Sequence, residues 1–418
     1  MRWLASAALL LLGGGLCRAA DWPQWLGPNR DGSTPEVVLP WKEAPRVVWR
    51  QPIGDGYSCP VVAGGRVIVH ARVGDKDEEE VVAFDARTGK RLWRSAYDRN
   101  AVKTDCGGYG PRATPVVAGG RVFTHGISGV IACFDAATGK EVWRVDTHKA
   151  FRAPRLGYGV SSSLLVEGDQ VIAHVGAKDA AVIAFDQKTG RVAWKVRSDA
   201  ASYASPVLFG KGRGRLVLLL TGKGLVALRP GDGATAWEFP LPDILGIRSV
   251  TPLCVGDLVL TTSMTGGRAV RVGRQQGKPA QAWRESALSS YISTPVAAGD
   301  GTVYQVTNVL LPDKVATLRC YEAATGKELW HRAKIGKYHA ALVRTGNGKV
   351  LMLDEAGVLA LIGPDRKGYR ELARSKVCGP TMAVPALANG LVYLRDGKEV
   401  LCVRLAPPPS STSSTPSP

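Results

Sequence analysis

Phe134-Asp135-Ala136-Ala137-Thr138-Gly139-Lys140-Glu141-Val142-Trp143 reads as a strand end, a tight turn and the start of a new strand. Asp135 can accept backbone N–H groups of the turn. Gly139 can take the left-handed conformation that closes a hairpin through a bulge. Trp143 then opens the second strand and can pack against a neighbouring sheet. The same ten residues return as Phe84 to Trp93, Phe185 to Trp194 and Tyr321 to Trp330. Weaker copies fill the gaps. Leu228 to Trp237 keeps Gly233, Val272 to Trp283 keeps Gly277 with an insertion, and Gly368 to Leu372 replaces the tryptophan by leucine.

Seven of the eleven tryptophans occupy this position: Trp49, Trp93, Trp143, Trp194, Trp237, Trp283 and Trp330, spaced 43–51 residues apart. That period suits one four-stranded propeller blade per repeat. Upstream, third strands recur as Val82-Ala83-Phe84, Ile131 to Phe134, Ile183-Ala184-Phe185, Val226-Ala227-Leu228, Ala269 to Val272, Leu318 to Tyr321, Leu359-Ala360-Leu361 and Leu401-Cys402-Val403. Turn pairs such as Gly64-Gly65, Gly119-Gly120, Gly256-Asp257 and Asn389-Gly390 mark a first hairpin in each unit. A proline opens the innermost strand at Pro60, Pro115, Pro206, Pro252, Pro295 and Pro385.

These copies predict an all-β, eight-bladed propeller with four antiparallel strands per blade. The last third strand, ending near Arg404, has no fourth strand after it, whereas Arg46-Val47-Val48-Trp49-Arg50 is a fourth strand with no blade before it. Letting the N-terminal strand complete the last blade closes the ring and removes free sheet edges. Four regions follow: a signal peptide over 1–20, a Trp-rich segment packing on the propeller over 21–45, the propeller over 46–405, and a disordered Pro/Ser/Thr tail over 406–418.

The start reads as a secretion signal. Arg2 precedes an apolar run from Leu4 to Leu12, then Gly13-Gly14-Gly15 and the small pair Ala19-Ala20, near which cleavage is expected. The run is too short to span a bilayer and no other stretch qualifies, so the protein is expected in the periplasm or outside the cell. Cys17 follows Leu16, where a bacterial lipid-attachment motif wants Gly, Ala or Ser, which argues against lipidation. The net charge of +18 favours anionic partners. Of eight cysteines, five (Cys59, Cys133, Cys254, Cys320 and Cys402) fall in predicted strands, and Cys106 with Cys378 is the one loop pair to test for a bond. There is no CxxC or CxxCH, so neither a zinc ribbon nor a c-type haem is supported.

The AxDxxTGKxxW pattern resembles the repeat of pyrroloquinoline-quinone-type propellers, from Arg46 to about Arg404. That family includes quinoprotein alcohol dehydrogenases and the non-enzymatic propeller lipoprotein of the outer-membrane β-barrel assembly machine. Asp21-Trp22-Pro23-Gln24-Trp25-Leu26-Gly27-Pro28-Asn29-Arg30-Asp31-Gly32 is similar to the opening of many exported bacterial propellers of this class. The resemblance implies that the seven motif tryptophans dock neighbouring blades. The catalytic members carry adjacent cysteines and a calcium site built from Glu, Asn and Asp. Neither is found in this sequence, so no cofactor is expected, and pyrroloquinoline quinone with calcium belongs to the alternative reading.

His70, His125 and His174 end the second strands of consecutive blades. Sheets packed about 10 Å apart spread three such positions over about 20 Å, too far for one zinc with bonds near 2 Å. Thr-Gly-Lys joins two strands and lacks a phosphate-loop frame. Asp75 to Glu80 reads as a solvated acidic loop. The strongest candidate site is a ring of tyrosines just before innermost strands: Tyr57, Tyr109, Tyr158, Tyr203, Tyr291 and Tyr338. Basic groups join them at Arg112, Arg152, Arg155, Arg248, Lys337 and His339. Aromatic faces with cations on the face over the central channel suit an acidic polymer or an envelope protein. The expectation is a monomeric, non-catalytic binding or scaffold propeller of the bacterial envelope, without nucleic acid. The alternatives are a quinone-dependent oxidoreductase and a polysaccharide-binding propeller.

Overall fold

The computed structural model describes residues 20–74, 76–99, 108, 110–241, 248–272, 278–309 and 315–405. The signal region through Ala19, Cys106, Tyr109, Gly277 and the tail from 406 lie outside the described residues.

Among the described residues there are eight antiparallel sheets of four strands each. Blade 1 runs Val61–Ala63, Arg66–Arg72, Glu78–Asp85 and Arg91–Asp98, and the order repeats outward around the ring. Blade 8 comprises Ala386–Ala388, Leu391–Arg395 and Glu399–Arg404, with Arg46–Pro52 as its outer strand. The register runs Arg46↔Arg404 to Pro52↔Glu399, with a shift between Val47 and Trp49. The N-terminal strand therefore closes the ring, as the unmatched third and fourth strands require. Among the described residues, helix is confined to Thr147–Phe151 and two 3-10 turns.

The turn motif forms as its residue types dictate. The Asp135 Oδ1 accepts from the Ala137 and Thr138 N–H groups and the Thr138 hydroxyl. The Gly139 N–H donates to the Asp135 carbonyl. Gly139 sits at φ +74, and the ladder shifts register at Cys133/Phe134. Asp85 and Asp186 repeat these bonds.

Six of the seven motif tryptophans meet the next blade's copy of this turn. The indole N–H of Trp49 donates to the Ala86 carbonyl, Trp93 to Ala136, Trp143 to Gln187, Trp194 to Pro230, Trp283 to Ala323 and Trp330 to Asp365, all within 2.8–3.1 Å. The rings lie flat on the turn glycine. A Cβ added at Gly89, Gly139, Gly190, Gly233 or Gly326 would sit 2.5–2.7 Å from the facing indole. The glycine is thus needed both for its positive φ and for the close approach. The sequence copy that follows Trp237, Val272 to Trp283, includes residues 273–277, which lie outside the described residues.

Hairpins joining first and second strands, together with the Asp-x-x-Thr-Gly turns, mark one end of the wheel. The loops feeding the innermost strands mark the other. Residues 20–45 lie across the first end and reach every blade. Trp22 pairs with Val62, the Pro23 carbonyl accepts from Val117, and the Arg30 guanidinium donates to the Leu164 and Pro206 carbonyls. The Trp25 indole donates to Thr251, and Gly32 packs on Val296. Gly32 and Thr34 pair with Arg344, and the Glu36 carboxylate accepts from Asn389 and Gly390. Arg30 is only 4% exposed.

Two expectations need correction. Cys59 precedes its strand rather than lying in it, whereas Cys133, Cys254, Cys320 and Cys402 are in strands. The acidic run is not a solvated loop throughout. Glu79 and Glu80 belong to the strand Glu78–Asp85, and Glu79 is wholly buried. Its Oε2 accepts from the Tyr97 hydroxyl at 2.8 Å and lies 3.3 Å from the His70 Nε2. Its Oε1 accepts from the Ile127 N–H of blade 2 at 2.9 Å. Burial opposes the charge, but the field of His70 and these hydrogen bonds outweigh it and hold the carboxyl below its usual range.

His125, His174 and His339 are buried, and desolvation pushes each imidazole down to about 4. The unfolded chain, with a histidine pKa near 6.5, therefore takes up these protons first. Stability is complete above the unfolded value and falls as pH drops from about 6.5 toward 4, by up to about 1.4 kcal/mol per pH unit for each group. Melting temperatures taken across this window should decline steadily. A flat profile would contradict neutral burial.

Candidate functional site

At the end opposite residues 20–45, the axis of the wheel holds a cavity of about 440 Å³. Four of the predicted tyrosines, Tyr57, Tyr158, Tyr203 and Tyr291, line it together with Arg112 and His339. Residues from blades distant in sequence converge there because each contributes the loop entering its innermost strand. Tyr158 and Tyr203 meet edge to face, with centroids 5.5 Å apart. The Arg112 guanidinium lies over the Tyr57 ring at 5.1 Å, and its Nε donates to the Tyr158 carbonyl at 2.6 Å.

The other predicted residues go elsewhere. Tyr338 borders an adjoining cavity of about 390 Å³ that also contains Asp55, Glu355 and Asp396 and shares Tyr57 with the first. The Glu355 carboxylate gathers the backbone N–H groups of Lys337, Tyr338 and His339 at 2.6, 2.8 and 3.1 Å. Lys337 is exposed, as are Arg152 and Arg155. Arg152 caps the short helix Thr147–Phe151 at φ 56. Arg248 is buried, and its guanidinium donates to the Thr221 and Leu241 carbonyls. His339 is 6% exposed and, with its pKa near 4, neutral at pH 7, so it contributes an imidazole rather than a cation. Arg112 is therefore the one charged side chain among the cavity's described lining residues.

Several residues of the site escaped the sequence reading. Trp25, from the segment crossing the opposite end, lines the cavity, as do Cys59, Ser205, Thr251 and Met382. Three of these belong to a chain of bonds between neighbouring blades. The N–H of Val384 donates to Cys59 Sγ, that of Cys59 to Thr114 Oγ1, and that of Thr114 to Ser163 Oγ. The Ser163 N–H continues to Ser205 Oγ and the Ser205 N–H to Thr251 Oγ1. The signal was available: Cys59-Pro60, Thr114-Pro115, Ser205-Pro206, Thr251-Pro252 and Thr294-Pro295 repeat a small polar residue before the strand-opening proline.

Among the described residues the lining offers no Asp or Glu. Calcium takes oxygen ligands, usually with carboxylates among them. Among the described residues no group of three or more His, Cys, Asp or Glu side chains could hold a metal ion. With no adjacent cysteines in the sequence either, the described residues fit a calcium-held quinone poorly.

Sequence comparisons identify the chain's kin, and structural comparisons show the shared fold. The family model described as outer membrane protein assembly factor BamB matches residues 32–105 and 77–332. The BamB of Burkholderia pseudomallei (strain K96243) is 25% identical over 368 residues, covering 84% of this chain and 86% of its own. That of Yersinia pestis is 24% identical over 314 residues, covering 72% and 76%. The crystal structure of BamB from Moraxella catarrhalis superposes with a TM-score of 0.61 at 18% identity, over 87% of this chain and 98% of its own. A quinohemoprotein alcohol dehydrogenase from Pseudomonas putida HK5 gives 0.66 at 13% identity, over 96% and 82%, a likeness of fold alone. The repeats, the closed ring and the family match over most of its length place this chain in the family of the outer membrane protein assembly factor BamB.

Proposed function

We propose that the chain is an exported, monomeric, non-catalytic scaffold of the bacterial envelope that holds a protein partner on the face carrying the tyrosine funnel. One observation carries this reading. Residues 20–45 cross the axis at one end, and among the described residues the other end is hollow, where four tyrosines and Arg112 converge. A partner can therefore reach the axis from one face, and there it meets the residue types that dominate binding hot spots. The role printed in the relatives' names, outer membrane protein assembly, supports the same choice. The expected location is the periplasm, after cleavage near Ala19 or Ala20. Arg152, Arg155, Lys337 and Tyr338, on or beside the same face, would meet the partner's periphery, where a net charge of +18 favours an acidic surface.

A polysaccharide ligand is less well supported, because Ser205, Thr251 and Ser249 already spend hydroxyl bonding capacity within the protein. A quinoprotein reading is less well supported, because the described lining residues offer calcium no carboxylate. The test is a triple variant, Tyr57→Ala with Tyr203→Ala and Tyr291→Ala, placed in cells lacking the wild-type chain. It should accumulate, melt cooperatively and still lower the amount of assembled outer-membrane protein as much as complete loss of the chain does. Full restoration by this variant would refute the funnel as the partner site.

A further inference from the structure

We infer that the export cut falls between Ala19 and Ala20, and that the α-ammonium it creates pairs with the Glu36 carboxylate to fasten the chain start onto blades 7 and 8. This rests on the export reading above and goes beyond it, by assigning the bond that is cut and giving the new terminus a role.

Two independent observations meet at this bond. The first lies in the sequence, Leu16-Cys17-Arg18-Ala19-Ala20-Asp21. A leader peptidase takes small side chains immediately before the cut and two places further back. A cut after Ala19 offers Ala19 and Cys17, both small. A cut after Ala20 puts Arg18, long and charged, in the second of these places.

The second lies in the fold. The first residues past the bond all have partners on the wheel or its strap. The Ala20 N–H donates to Glu36 Oε1 at 3.3 Å, the Asp21 Oδ2 accepts from the Gly64 N–H at 3.2 Å, and Trp22 exchanges both backbone bonds with Val62. Glu36 ties this start to the ring. Its Oε1 also accepts from the Asn389 N–H and its Oε2 from the Gly390 N–H, both at 3.0 Å, in the first hairpin of blade 8. Its carbonyl accepts from the Gly346 N–H of blade 7 at 2.7 Å.

Hydrolysis changes what Glu36 meets. Water gives its oxygen to the Ala19 carbonyl carbon, which departs with the leader as a carboxylate, and its two protons go to the Ala20 nitrogen, which becomes an ammonium. With an ordinary α-amino pKa of about 8, that nitrogen is mostly charged at pH 7. An amide has one N–H fixed in the peptide plane. An ammonium has three and turns freely, so the 3.3 Å contact can close to a charge-assisted bond. Ala20 and Glu36 lie at the end of the wheel opposite the funnel, so the leader is released away from the tyrosines.

The full chain is produced with its own leader in its native cells, and the exported protein is read by N-terminal sequencing. The expected start is Ala-Asp-Trp-Pro-Gln. Cys17→Ala should leave that start unchanged, whereas Cys17→Arg should make uncut precursor accumulate. A start at Asp21, a lipid-blocked start at Cys17, or normal processing of Cys17→Arg would overturn the assigned bond while export stands. Whole precursor held in the cytoplasm would sink the export reading and the cut together. The ion pair is read by urea unfolding of Glu36→Gln in two backgrounds, the mature chain and a chain with two extra residues, Gly and Ser, ahead of Ala20, where the nitrogen is again an amide. Glutamine keeps an acceptor oxygen in both. The substitution should cost about 2- to 5-fold more in the unfolding equilibrium of the mature chain, the range for an ion pair partly open to water. An equal loss in both backgrounds would overturn the pairing.

Discussion

Replacing Trp143 by alanine is expected to cost about 3–5 kcal/mol of stability, the range for removing a large buried aromatic. Trp143 is 9% exposed and packs between Phe123 and Phe185, with ring centroids at 5.9 and 6.2 Å. Its indole N–H donates to the Gln187 carbonyl, and its ring covers Gly190. The deletion therefore opens a cavity between blades 2 and 3 and strips a carbonyl of its donor. Gly190→Ala attacks the same contact from the other side, since its Cβ would lie 2.6 Å from the indole at a residue with φ +69. Urea unfolding of the two variants and their double mutant provides the check. If docking is shared, the double mutant loses clearly less than the two single losses added together. An unchanged unfolding midpoint for Trp143→Ala would contradict interblade docking.

Glu79→Leu should be comparably damaging, at about 3–5 kcal/mol, whereas Glu79→Gln should cost far less. Leucine leaves the Ile127 N–H, the Tyr97 hydroxyl and His70 without their shared acceptor in a site closed to water. Glutamine keeps an oxygen for one of them and gives up the charge. Gly126 completes the fit, since a Cβ there would come within 2.2 Å of the Glu79 Oε2. Thermal melts of both variants at neutral pH make the comparison. Equal loss would mean that volume, rather than the shared acceptor, governs this junction of blades 1 and 2.

What could be read from the chain, and what could not, follows from how far each interaction reaches along it. The Asp-x-x-Thr-Gly turn is local: Asp135 bonds atoms two and three residues away, so its geometry is written in adjacent letters. Ring closure was legible for a different reason, because a fourth strand without a blade and a blade without a fourth strand have a single mutual solution. Tyrosines recur before six of the eight innermost strands, and that recurrence pointed to the four that line the axial cavity. The partners of single residues were not. Glu79 resembles its solvated neighbours in a charge run, and its burial depends on Tyr97 and Ile127, on other elements. Arg248 and His339 look like surface cations until the carbonyls of Thr221 and Leu241 and the hydroxyl of Ser293 are found around them. The reach of residues 20–45 across all eight blades was likewise invisible. Trp25 meets Thr251 over a separation of 226 residues, with no periodic pattern to announce it.

The one-sided axis can be tested directly in the native envelope. A photoreactive phenylalanine analogue placed at Tyr203 faces the funnel, and the same residue at Lys140 sits on a turn at the opposite, covered end. Irradiation should give a discrete covalent adduct with an envelope protein from position 203 and none from position 140. Adducts arising from position 140 while position 203 stays unreacted would contradict partner recognition by the tyrosine face.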